Sequence, residues 1–379
     1  MSRNMKKATE AIIEKVKSAT EKSYENEKYT IGGDDTAIEW LKNLKIVNHI
    51  RLFPDFYGAW AVYDQDNYLV LVNHEISLIP KFVDEEILNA GAWVAILYEL
   101  DLPLKKDIQL VLEQVLDISW PPISRDGKQY KQIIFNQDVS DNNKEYSLEN
   151  CFPKVSLYKI TSKFTVKEEL HQMLGLVLVK GTNCRLLPYS PDVIKEFEEI
   201  FDDGDKNIPF DNLLASYVAS DFKFAYLDIY RCIEILQPLY FFKDFYKTLS
   251  LKDTSLLKFC EDFYVDTKLE PSLSNSLKKL LESVKTVPIK SIPIIIWKLL
   301  IFFIESDFIV GIIFISLYKS SIKSSEKKID LYNIRNQIVH LRPNQTNDLI
   351  PKEIEEWNKL ILNILTIVKE LYSQNKDLF

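Results

Sequence analysis

Apolar positions in residues 1–204 switch between helical and strand-like spacing. Residues 4–22 carry small and branched apolar side chains every three or four positions, which predicts an amphipathic helix. Two β-rich runs flank a polar turn within 59–75 and predict a hairpin. The pattern also predicts helices at 84–100, 105–119 and 191–201, and strands at 131–135, 155–160 and 174–180.

The sequence GGDD at 32–35 leads into another apolar run. Thr36 and Glu39 have the spacing of a capping box, which predicts that this stretch is a turn at the start of a helix. A metal-binding carboxylate pair is the less favoured interpretation.

A polar, acidic stretch at 202–209 is typical of a turn and predicts a boundary between domains 1–204 and 205–379. Beyond it the spacing is helical almost throughout. The fold class predicted is α+β, with a mixed N-terminal domain followed by an all-α domain. The helical segments are predicted at 211–236, within 240–286, as a pair at 292–318, at 324–341 and from Pro351 onward.

Composition narrows the class of protein. The 379 residues are 46% hydrophobic, enough for a sizeable core, and only 9 are glycine, which suits a helix-rich chain. The four cysteines form no CxxC pair, so neither a zinc module nor a disulfide framework is indicated, and a cytoplasmic location is expected. No phosphate-binding loop or dinucleotide fingerprint is present, and no cofactor or metal is predicted.

The most lipid-like stretch is 292–318. Lys298, Glu305 and Asp307 interrupt it, and its longest uncharged run, 308–318, falls short of the roughly 18 residues that span a bilayer. Two buried helices are therefore predicted rather than a membrane anchor. The polar N-terminal residues lack the apolar core of a signal peptide.

Charge is unevenly spread along the chain. The net charge is −8, which argues against a nucleic-acid binder that uses its whole surface. Within 278–342, however, 11 basic and 5 acidic residues give a local charge of +6. This window indicates an anionic partner in the region of residue 335.

The sequence LYNIRNQIVHLRPN, residues 331–344, carries candidate chemistry within that basic window. Histidine can transfer protons near neutral pH, and the arginine fork suits phosphate oxygens. Asparagine can hold a histidine tautomer or a substrate oxygen. Pro343 predicts that the helix ends close to His340. Asn336 and His340 then share one helical face, whereas Arg335 and His340 point roughly 140° apart. Arginine is long enough to curl toward the imidazole, but the angle favours a site completed by a second copy of the helix. An ordinary polar helix face remains the alternative.

Two segments together resemble a known family. The segment IRNQIVH is similar to the signature helix of HEPN-domain proteins, and YLDIYRCIEILQPLY, residues 226–240, is similar to their first core helix. The second match has the aromatic–arginine–x–x–glutamate pattern at Tyr230, Arg231 and Glu234. The resemblance covers about 205–379, and the long span between the two matches indicates inserted helices.

The resemblance implies a helical bundle that forms a homodimer in which two signature helices face each other. Many HEPN proteins are metal-independent endoribonucleases in phage defence, toxin–antitoxin pairs or CRISPR effectors, which implies an RNA substrate. Arg335, Asn336 and His340 would be catalytic, and Glu234, Arg231 and Arg342 would support them. Some relatives carry a modified tyrosine where this chain has Arg342, so that form of regulation is not expected.

Two functions remain open at this point. The first is an RNA-cleaving effector, and the second is a non-catalytic HEPN scaffold or nucleotide-binding module. Residues 1–204 are interpreted as a sensor or inhibitory domain for a protein or nucleotide trigger. Glu168 and His171 have helical metal-ligand spacing, but no second copy of the pair is present, so a solvated helix face is the favoured interpretation.

Overall fold

The computed structural model describes residues 4–20, 24, 28–53, 56–73, 82–106, 108–117, 122–125, 128–134, 139–141, 144–161, 163–180, 186–249, 331–339 and 349–376. These residues divide into two compact units, Met1–Cys184 and Arg185–Phe379. The predictions made for 250–330, including the apolar pair at 292–318, lie outside the described residues, as do those for His340 and Arg342.

The first unit combines helices and strands, so the α+β class is confirmed. Along the chain its elements are α1 (Met5–Ser18), β1 (Tyr29–Gly32), α2 (Asp35–Asn43), β2 (Lys45–Phe53), β3 (Phe56–Tyr63), β4 (Asp66–Val72), β5 (Val83–Glu86), α3 (Ala90–Glu99), α4 (Gln109–Asp117), β6 (Pro122–Arg125), β7 (Lys128–Ile134), β8 (Val139–Asp141), β9 (Lys144–Tyr146), β10 (Val155–Ile160) and α5 (Leu170–Lys180).

The largest sheet has five antiparallel strands in the order β2-β3-β4-β10-β5. Strands β3 and β4 form the predicted hairpin, which turns at Asp64 and Gln65. Asp64 has a φ of 56°, a conformation that aspartate tolerates better than most residues do. The predicted strand at 155–160 is confirmed as β10, which lies between β4 and β5.

A smaller three-stranded sheet has the order β1-β7-β6. Strand β1 pairs with β7 in parallel, and Thr30 lies opposite Gln132. Among the described strands β7 is the only partner of β1, so the other edge of β1 is open to other groups. Strands β8 and β9 form a separate hairpin.

Three local predictions for the first unit were wrong. Residues 174–180 belong to helix α5, because an uninterrupted apolar run has no period that separates a buried helix from a buried strand. The predicted helix at 84–100 begins only at Ala90, and Val83–Glu86 is an edge strand. Asp34, not Thr36, caps α2, since its carboxylate accepts the backbone N–H of Ala37 at 2.8 Å.

The described elements of the second unit are all helices. They are α6 (Pro191–Asp203), α7 (Phe210–Tyr217), α8 (Phe222–Leu249), α9 (Leu331–Val339) and α10 (Ile354–Gln374). The predicted helix at 211–236 is broken at 218–221, where the Asp221 carboxylate accepts the backbone N–H of Lys223 at the start of α8. Helix α8 also continues past Pro238, where the prediction ended it.

The units divide before α6, so the predicted boundary at 202–209 falls within the second unit. Two sets of polar contacts hold α6 against α10. Lys369 lies 2.6 Å from a Glu199 oxygen and 3.4 Å from a Glu196 oxygen. The buried Asn358 side chain accepts the Ser190 N–H at 2.7 Å and donates to the Pro188 carbonyl. A polar, acidic turn therefore does not by itself mark a boundary between compact units.

Among the described residues, no helix has both the length and the apolar character needed to cross a membrane.

Candidate functional site

Helices α8 and α9 contact each other, although about a hundred residues separate them along the chain. The hydroxyl of Tyr226 on α8 donates to the carbonyl oxygen of Leu331 on α9 at 2.7 Å. Leu331 and Ile334 are buried and lie three residues apart, so they share the face of α9 that packs into the unit. The two segments that resemble HEPN helices are thus neighbours in the structure.

Arg335 comes directly after this apolar face and forms an ion pair with α8. Its Nε atom lies 3.2 Å from Oε1 of Glu234, and the two side chains are 28% and 36% exposed. An ion pair with this much solvent contact contributes on the order of 1 kcal/mol or less to stability. Its main effect is therefore to fix the direction of the Arg335 side chain.

The structure places the other predicted catalytic residues only in part. The backbone of Asn336 lies in α9, whereas its side chain is outside the described residues. Helix α9 is described as far as Val339, directly before His340, so the predicted end of the helix near His340 lies outside the described residues and stays a prediction. The geometry between Arg335 and His340 stays a prediction.

Arg231 lies one turn before Glu234 and has a different partner. Its guanidinium donates to the carboxylate of Asp228 on the same helix, and its side chain is 60% exposed while that of Asp228 is 16% exposed. Burial raises the pKa of Asp228, and the charge of Arg231 opposes that rise only in part. Among the described residues, Arg231 therefore supports Asp228 rather than Arg335.

Replacing Arg231 by glutamine is expected to lower the free energy of unfolding at pH 7 by up to about 1 kcal/mol. Without the arginine the pKa of Asp228 rises further above its ordinary 3.8, so the folded chain binds the proton more tightly than the unfolded chain. The free energy of unfolding of the variant then falls as the pH rises above the ordinary pKa of aspartate through the raised pKa of Asp228. The difference in stability between variant and wild type should therefore shrink toward pH 4. Urea unfolding of both proteins across this pH range measures it, and a deficit independent of pH would contradict the assignment.

Helix α10 also packs against α8. The buried hydroxyl of Tyr372 donates to the backbone carbonyl of Cys232 at 2.9 Å. Burial raises the pKa of the Cys232 thiol, so this free cysteine is not a thiolate at neutral pH. Local spacing did not single out these structural residues, although the tyrosines at 226 and 230, four apart within an apolar helix, are a detectable sign of a buried face.

The structure also describes residues of the two metal-site alternatives, the acidic pair at 32–35 and Glu168. Asp34 caps α2, and Glu168 is exposed in a short turn of 3₁₀ helix at Lys167–Glu169. Within the described ranges, no group of three or more histidine, cysteine or acidic side chains could hold a metal ion.

Comparison of the chain with protein-family models, with curated proteins and with solved structures finds no match. The function is therefore inferred from the residues and contacts of α8, α9 and their surroundings.

Proposed function

We propose that the chain is a metal-independent endoribonuclease of the HEPN type, acting in phage defence or as a toxin. The observation that carries this proposal is the ion pair between Arg335 and Glu234. It joins the two helices that separately resemble the family. The resemblance implies that Arg335 is catalytic and that Glu234 supports it. The basic window at 278–342 adds support, because an RNA substrate is a polyanion.

In the proposed reaction the 2′-oxygen of a ribose attacks the adjacent phosphorus, and the bond from phosphorus to the 5′-oxygen breaks. His340 transfers a proton between these oxygens, which is worth on the order of 10²–10⁴-fold in rate. Arg335 stabilises the extra negative charge that develops on the phosphate. Asn336 orients the imidazole or a substrate oxygen.

The proposal includes a homodimer of all-α, HEPN-like second units. On an ideal helix Arg335 and His340 would point roughly 140° apart, an angle that favours a set completed by a second chain. A second copy of α9, related by a two-fold axis, would place an arginine from one chain near a histidine from the other.

The test is sequencing of RNA 5′ ends in cells that express the wild-type chain or the His340→Ala variant at equal levels. We expect new ends, and slowed growth, only with the wild type. The positions of the ends would also show whether the target is a transfer RNA, a messenger RNA or RNA in general. Identical end profiles in the two strains would reject the nuclease.

One observation favours the second function, a non-catalytic HEPN scaffold or nucleotide-binding module. Glu234 already neutralises Arg335 in this structure, so the arginine could serve only to hold α9 on α8. In that case the His340→Ala variant would leave growth and RNA unchanged. The Arg335→Ala variant would instead weaken dimerisation, which sedimentation measures.

A further inference from the structure

A cleft in the first unit lies apart from the residues of the proposed nuclease. It encloses about 460 Å³, within the range of roughly 300–1,000 Å³ that is typical of small-molecule sites. The open edge of β1 borders it, α1 forms one wall, and α2 and α3 form another. All of its lining residues belong to Met1–Cys184.

The edge of β1 offers backbone hydrogen-bonding groups to this cleft. The carbonyl of Lys28 accepts the N–H of Lys131 on β7, so Lys28 points its peptide groups toward β7. Because successive residues of a strand alternate, Thr30 also faces β7, whereas Ile31 directs its N–H and C=O to the open edge. Ile31 lines the cleft, and in the part of the chain that the structure describes these two groups have no partner.

A buried hydroxyl adds a third polar group. Thr30 lines the cleft and is only 6% exposed, and its hydroxyl makes no hydrogen bond with the described residues. Tyr130 is half-buried on β7 and also lines the cleft. Alternation along the two paired strands places Tyr130 and Thr30 on the same face of the small sheet. The cleft therefore combines an aromatic ring, a hydroxyl and an adjacent backbone donor and acceptor.

The charges around the cleft disfavour a phosphorylated ligand. Lys6 and Glu10 on α1 lie 3.9 Å apart and offset each other. Helix α2, which lines the cleft, begins at the exposed Asp35 and is capped by the exposed Asp34. The Asp34 carboxylate already accepts the backbone N–H of Ala37 in the first turn. An anion would meet these carboxylates instead of a free helix N-terminus.

The helices also limit the length of the cleft. Residues of α1, α2 and α3 all line it, beside a strand of only four residues. An extended peptide that adds a strand to a sheet needs a longer open edge than this. We propose that the cleft binds a nucleobase or an uncharged nucleoside, whose planar ring carries neighbouring donors and acceptors and can stack on tyrosine.

The test uses the purified full-length chain and isothermal titration with adenosine, guanosine, cytidine, uridine and ATP. We expect at least one nucleoside to bind with a stoichiometry of one per chain, and ATP to bind more weakly. Thr9→Trp should weaken nucleoside binding at least about tenfold, because Thr9 lines the cleft and the indole would fill it. The matched control is Ala11→Trp, on an exposed position of the same helix outside the cleft lining, which should bind like the wild type.

Thr30→Val is a second variant that keeps the shape of the side chain and removes the hydroxyl. It should weaken binding by about tenfold, since a ligand group facing Thr30 then loses its partner. The proposal is overturned if none of the four nucleosides binds, or if Thr9→Trp and Thr30→Val both bind like the wild type. Neither outcome depends on the nuclease proposal, which concerns residues of the second unit.

Discussion

Replacing Arg335 by alanine is expected to reduce RNA cleavage at least about a hundredfold while leaving the second unit folded. Removing a group that stabilises developing charge in a transition state costs on the order of 10²–10³ in rate. The ion pair that is lost is more than a quarter exposed on both sides, so its contribution to stability is about 1 kcal/mol or less. The measurement is cleavage of a labelled RNA by purified protein with a chelator present, beside thermal unfolding of each variant.

Two further variants make this result specific. Arg335→Lys keeps the charge but loses the planar fork, so we expect it to recover stability more completely than activity. Arg51→Ala removes an exposed arginine of β2 in the first unit and should leave cleavage unchanged. If Arg335→Ala cleaves RNA as fast as the wild type, the arginine only holds α9 on α8 and the scaffold interpretation is correct.

Replacing Glu234 by glutamine is expected to affect RNA cleavage less than the loss of Arg335 does. Glutamine at this position keeps an oxygen that can accept a hydrogen bond from the guanidinium but removes the negative charge. The Glu234→Gln variant should therefore retain the direction of Arg335 and lose less activity than Arg335→Ala does.

The helices with clear periodic faces were predicted well, and the errors have physical causes. Helix α1 and the hairpin β3–β4 follow from local spacing alone. Helix α5 was mistaken for a strand because residues 170, 172–174 and 176–179 are all buried, so no polar face reveals its period. Pro238 did not end α8, because a proline within a long helix costs a few kcal/mol that tertiary packing can offset.

Non-local contacts were beyond what local spacing can show. Strand β1 pairs with β7, whose residues follow it by about a hundred positions, and neither strand has a pattern that identifies the other. The contact between Glu234 and Arg335 spans a similar distance and was suggested only by the resemblance. The boundary prediction missed α6 because the polar contacts of Lys369 and Asn358 are made with residues far away in the sequence.

Gly91→Ala is expected to give the largest loss of stability among single methyl additions to the first unit. Alanine usually stabilises a helix by about 1 kcal/mol relative to glycine. Here α2 and α3 cross so closely that a Cβ at position 91 would overlap the carbonyl oxygen of Ala37 and lie 2.5 Å from its carbonyl carbon. Both atoms are backbone and cannot rotate away, so one helix must shift within a buried core.

Overpacking of this kind costs roughly 1–3 kcal/mol and sometimes more, which exceeds the gain in helix propensity. We expect a net loss of about 1–2 kcal/mol and a melting temperature about 2–8 °C lower. The fluorescence of the nearby buried Trp93 monitors the unfolding. Gly58→Ala is the matched comparison, because its Cβ would meet the terminal methyl groups of Leu174, which can move by a rotamer change. Gly58→Ala should therefore be the milder of the two. The reverse order would mean that α2 and α3 are farther apart at Gly91 than the structure places them.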